Sequence, residues 1–129
     1  MNYLVDTHAL AWFFIDRQRL PPRILAIFAS SSDEIFFSPV SVYEIGLKYR
    51  IGKWPEIGVI AHNVDAESMD AGLMPLAIGV GDARIASSLP LVHRDPFDRL
   101  LAAQSIGNGL PILSADPALD LFGVTRVWD

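Results

Sequence analysis

Short apolar runs alternate with helical segments along this chain, and an acidic residue stands at four of the junctions. Tyr3-Leu4-Val5 runs into Asp6, and Pro111-Ile112-Leu113-Ser114 leads to Asp116. Glu44 closes Ser41-Val42-Tyr43-Glu44, and Asp98 closes Asp95-Pro96-Phe97-Asp98. Runs this short and this apolar suit strands buried on both faces, as in parallel sheets covered by helices. The alternation predicts one α/β domain with a parallel sheet over residues 1–129. In such a sheet the strand–helix seams lie at the carboxyl edge, where ligands bind.

The expected elements follow from local chemistry. Residues 2–6, 35–38, 111–114 and 124–127 read as strands, and Gly72 to Ile78 as an edge strand because Pro75 interrupts it. Helices are expected over His8–Ile15, Arg23–Ala29 after Pro21-Pro22, Pro39–Ile51 ending at Gly52, Glu56–Asp70, Gly81–Ser88 and Pro96–Gly107. Residues 90–94 read as a loop, and Asp95 before Pro96 as the cap of the last helix.

Composition narrows the class. Hydrophobic residues make up 51% of the chain, which excludes general disorder. No apolar stretch reaches the ~18–20 residues of a membrane span. The start, Met1 to Asp6, has no basic segment, so no signal peptide is expected. The absence of cysteine removes disulfides, thiolate metal sites and cysteine nucleophiles, and it suits the cytoplasm. A net charge of −5 argues against a nucleic-acid substrate. A cluster of active-site carboxylates lowers the pI by itself, however, and divalent cations reverse its local sign. Lys48, Arg50, Lys53, Arg94 and Arg99 are near the acids in sequence and are candidates to meet a polyanion.

Each acid also has an ordinary structural role open to it. Asp6 or Thr7 can cap the first helix. Glu44 can close a capping box with Ser41, or lie in the second turn if Ser38 is the cap and Pro39 the first helical residue. It can also pair with Lys48 four residues on. Asp95 is the better cap of its helix, which leaves Asp98 at the mouth of a cleft. Asp116 before Pro117 is a further cap, and Ser114 can hydrogen-bond a carboxylate. Recurrence at four junctions favours a shared anionic pocket. Its carboxylates repel one another unless protons or a hard cation neutralise them, and Mg²⁺ is the usual such cation. His8 reads as packed and His93 as a solvated loop residue. No zinc, P-loop, nucleophile-elbow or dinucleotide motif occurs.

At this point the chain resembles PIN-domain ribonucleases, specifically VapC-type toxins of bacterial toxin–antitoxin pairs. The resemblance rests on residues 3–12, 44–54, 93–104 and 113–116, four blocks in family order. It implies a three-layer α/β/α sandwich around a mainly parallel sheet. It assigns Asp6, Glu44, Asp98 and Asp116 as catalytic and metal-binding acids for Mg²⁺ or Mn²⁺, and RNA hydrolysis by metal-activated water. Thr7 and Ser114 are expected to support those acids. The resemblance further implies a homodimer and a VapB-like antitoxin whose C-terminal segment inserts a basic side chain among the acids. The alternatives are a non-cleaving PIN scaffold and a receiver-like phosphoaccepting module. The latter lacks its late lysine, since Lys53 is the last in the chain.

Overall fold

Alternation within the strands sets the layers of the computed structural model, which describes residues 1–129. In β1 (Asn2–Val5), Tyr3 and Val5 face one core while Leu4 faces another. In β2 (Glu34–Phe37), Ile35 and Phe37 join the first core and Phe36 packs on the second. In β4 (Ile112–Leu113), Leu113 joins the first and Ile112 the second. Two-sided burial is what the apolar runs demand, because successive side chains of a strand point to opposite faces.

Helix α1 (Thr7–Ile15) and α2 (Pro22–Ala29) cover the first face through Leu10 and Ile24. Helix α6 (Pro96–Asn108) covers the second through Leu101 and Ala102 and packs with α5 (Val80–Ser88). Helix α3 (Pro39–Arg50) bridges the layers, with Val40 in the second core and Ile45 in the first. The result is a three-layer α/β/α sandwich. With β3 (Met74–Pro75) and β5 (Arg126–Val127), the sheet has five strands in the order β3-β2-β1-β4-β5, and every pairing is parallel. The chain steps from β1 outward to β3, then returns to the other side of β1. That reversal opens a crevice between the ends of β1 and β4.

Three expectations need correction. The helix expected over Glu56–Asp70 is a 3-10 turn at Pro55–Val59 followed by α4 (Val64–Asp70). Gly58 lies against the Tyr49 ring, where even a Cβ would collide, and the chain buries Ile57, Ile60 and Val64 without a continuous helix. The edge strand shrinks to Met74–Pro75 because Gln104 Nε2 donates to the Leu76 and Ala77 carbonyls that would extend it. Ser41 is not a cap: Ser38 accepts from the Val40 N–H at 3.0 Å, and Pro39 opens α3. Phe13 and Phe14 of α1 are wrapped by neighbours, whereas Tyr43 and Tyr49 of α3, and Ile51 just past its end, are exposed. No helix is long and apolar enough to cross a membrane.

Candidate metal centre

Asp6 leaves β1 with its backbone N–H still bonded to the Leu113 carbonyl, so its Cα is fixed at the sheet edge. Its Oδ1 accepts from the Ala9 N–H at 2.8 Å, and Asp6 is the cap of α1. Of the two residues able to cap, Asp6 does so and Thr7 does not. Thr7 instead shares a 2.9 Å hydrogen bond with Ser41, tying the start of α1 to α3. Asp6 therefore does two things at once: one oxygen locks the helix start, and the carboxyl still lines the crevice.

The other acids arrive from separate elements. Ser38 as cap places Glu44 in the second turn of α3, buried and paired with Lys48 one turn on. Asp95 caps α6 by accepting from the Phe97 and Asp98 N–H groups at 2.8 and 3.3 Å. That leaves the Asp98 side chain uncommitted to the helix, and its Oδ2 meets His93 Nε2 at 2.8 Å. Asp116 caps the 3-10 turn Pro117–Phe122 through Ala118, and its own N–H donates to Ser114 Oγ. Asp6, Glu44, Asp98 and Asp116 all line one cleft of about 530 Å³. Within it, ligand atoms of His93, Asp98 and Asp116 lie within 4.8 Å of one another, while Asp6 and Glu44 stand outside that group.

The electrostatics follow from burial. Desolvation pushes the Asp6 carboxyl up to about 7, and the charges of Asp98 and Asp116 add to it. Hydrogen bonds from Ser114 and the Ala9 amide pull back without winning. Burial also raises Asp98, helped by the charges of Asp95 and Glu44 and opposed by His93. The unfolded chain releases the Asp6 proton near pH 4, whereas the folded chain keeps it to about 7. Folding stability from this group is therefore complete below pH 4 and declines as pH rises through 7. The loss is at most about 4 kcal/mol at alkaline pH. Thermal melts in EDTA should show a lower melting temperature at pH 8 than at pH 5.5. Added Mg²⁺ or Mn²⁺ should raise it more at pH 8. Equal metal shifts at both pH values would contradict this electrostatic account.

The basic residues divide. Lys48 lines the cleft, and Lys53 lines a recess beside it. Arg94 is exposed. Arg50 lies along a different groove, with Tyr43, Tyr49 and His62. Arg99 corrects the expectation of a polyanion contact: it is buried and donates to four carbonyls, those of Ala86, Leu89, Pro90 and His93. Its charge organises the loop that delivers His93. His93 itself reads as a solvated loop residue in isolation. Its presence in the same block as Asp95 and Asp98 is the one signal that ties it to the cleft. His8 is exposed rather than packed, and its ring stacks on Trp54 at 4.9 Å between centroids.

The PIN domain family model matches residues 3–123, nearly the whole fold, a span that includes Asp6, Glu44, Asp98 and Asp116. The chain belongs to the PIN domain family. Among solved structures, this PIN domain is similar to a chain in the crystal structure of VapBC2 from Rickettsia felis bound to a DNA fragment from their promoter. The TM-score is 0.67 at 13% identity, covering 100% of both chains. It is likewise similar to a chain in the crystal structure of FitAcB from Neisseria gonorrhoeae, with TM-score 0.67 and 15% identity, covering 100% of this chain and 97% of that one. The comparison with curated protein sequences gives no match. Family membership displaces the phosphoaccepting alternative.

Proposed function

We propose that residues 1–129 form one catalytic PIN domain, a divalent-metal-dependent endoribonuclease acting as the toxin of a toxin–antitoxin pair in the cytoplasm. The observation that carries this reading is the gathering of Asp6, Glu44, Asp98 and Asp116, from four separate elements, around one crevice at the sheet's reversal point. The donors suit a hard cation: they are carboxylate oxygens with one imidazole, and thiolates are absent. Two of the carboxyls are held above their usual range, which is the state a bound cation would relieve.

Asp6, Glu44, Asp98 and Asp116 would hold Mg²⁺ or Mn²⁺. When bound, such an ion supplies Lewis acidity, activating water near neutral pH and neutralising phosphodiester oxygens. The protein's own part is positioning. The helix cap fixes Asp6, His93 orients Asp98, and Ser114 steadies Asp6 and the backbone of Asp116. Lys48, beside Glu44, puts a positive charge at the cleft where a phosphate would lie. The product would carry a 5′-phosphate.

Exposed apolar residues on and just past α3, with Tyr43 63% and Ile51 54% accessible, support a homodimer. Similarity of fold to chains of VapBC2 and FitAcB supports a VapB-like antitoxin as partner. Incubating purified protein with RNA should give cleavage in Mg²⁺ or Mn²⁺ and none in excess EDTA, with 5′-phosphates on sequenced ends. Undiminished cleavage in EDTA would sink the metal mechanism.

A further inference from the structure

Beside the acid cleft lies a second recess of about 530 Å³, within the size of small-ligand sites. His8, Trp12 and Lys48 line both, so the two form one continuous surface. Its walls are aromatic. His8 stacks on Trp54 with ring planes 28° apart, and Trp12 lies 5.8 Å from His8. Neither tryptophan is fully buried, although each packs against the first core. The recess is close to charge-balanced where the cleft is strongly anionic, and Lys48, shared by the two, is already paired with Glu44. Arg19, Lys48 and Lys53 stand against Asp16 and Glu56 here, and Arg19 already takes up Asp16 at 3.0 Å. In the cleft, Lys48 alone stands against Asp6, Glu44, Asp95, Asp98 and Asp116.

We infer that this recess is a nucleobase subsite: a base of single-stranded RNA stacks on the Trp12–Trp54 walls, while Lys53 and Lys48 meet the flanking phosphates. The inference deepens the nuclease reading and rests on it for the identity of the polymer. Flat rings interleaved with cations are the surface that single strands recognise, because every base has a π-face and every linkage a charge. A purely apolar partner segment would leave Lys53 without a counter-charge, since Lys48 alone of the two is paired, with Glu44. Double-stranded RNA would keep its bases paired and out of reach. The subsite also answers the repulsion expected from a chain of net charge −5. Stacking and local cations hold the strand one step away from the acids, and the divalent ion neutralises the cut site.

The chain reports on this directly, since its three tryptophans are Trp12, Trp54 and Trp128, and Trp128 lies 6.0 Å from Trp12. The experiment uses full-length Asp98→Asn protein in Mg²⁺, so that RNA binds without being cut. A single-stranded RNA hexamer should quench tryptophan emission, and an abasic ribose-phosphate hexamer of equal charge should not. Trp54→Leu in this background should weaken the hexamer Kd about tenfold, and Trp54→Phe much less. Lys53→Glu should lower the slope of log K against log salt by about 0.7. Equal quenching by the abasic strand, or by hexaglutamate as a peptide probe, overturns the subsite. So does an unchanged Kd in folded Trp54→Leu. If Trp54→Leu does not fold, the exposed Lys53 variant and the abasic comparison decide. Wild-type cleavage is assayed in parallel. Cleavage without base-dependent quenching overturns the subsite alone, whereas quenching without cleavage removes the nuclease reading and leaves an RNA-binding site.

Discussion

Asp6→Asn is expected to lower metal-dependent RNA cleavage by roughly 10³-fold and, in the same protein, to raise the melting temperature in EDTA at pH 8. The two effects have opposite signs because Asp6 serves two masters. As a cap it needs only an oxygen that accepts from the Ala9 N–H, and asparagine supplies one with equal preference at that position. As a buried carboxyl beside Asp98 and Asp116 it carries a charge that the folded protein resists. Removing the charge stabilises the metal-free fold and takes away a ligand for the cation. Differential scanning calorimetry and a cleavage assay on one preparation read both. A variant that loses activity only because it unfolds would show a lower melting temperature, and that outcome would reject the account.

Arg99→Ala is expected to be the most damaging single substitution outside the acids, at about 3–5 kcal/mol and a fall of roughly 10–20 °C in melting temperature. Four carbonyls, from Ala86, Leu89, Pro90 and His93, lose their donor together, and water has little access to the guanidinium's place. Arg99→Lys should recover only part of this, since one ammonium with three protons cannot span a fork built for five. The loop between α5 and α6 should then loosen, releasing His93 from Asp98. Amide exchange across residues 89–95 provides the local readout. Unaltered protection there, with the arginine gone, would show that the loop is held by something else.

The parts of the fold legible in the sequence were those governed by local chemistry. Asp95-Pro96 and Ser38-Pro39 each combine a capping side chain with a residue preset for the first helical turn, and both caps form as their chemistry dictates. Strand burial was legible for the same reason, because Leu4 and Ile112 have no polar neighbour that could turn outward. The misreadings arose where distant groups decide. Nothing near Leu76 in the sequence announces that Gln104 will take its carbonyl, and nothing near Ile57 announces the Tyr49 ring. Arg99 has the composition of a surface cation, and only the folded loop reveals four carbonyls waiting for it. Among the site residues, Asp6, Asp98 and Asp116 stood out because each lies at or just past a junction, whereas Glu44 sits in the second turn of α3. His93 did not stand out, because a lone imidazole in a loop has no periodicity to mark it, and its partner Asp98 becomes visible only once α6 turns its first turn toward the crevice.

Both flanks of the sheet end in two-residue strands, Met74–Pro75 on one side and Arg126–Val127 on the other. Proline removes an amide from the first, and Gln104 occupies the carbonyls just beyond it. Neither border offers the long ladder of open amides that lets sheets of separate molecules zip together. A second copy, were it to dock, would have to be recognised by side chains of helical faces, which a point substitution can tune, rather than by main-chain annealing, which it cannot.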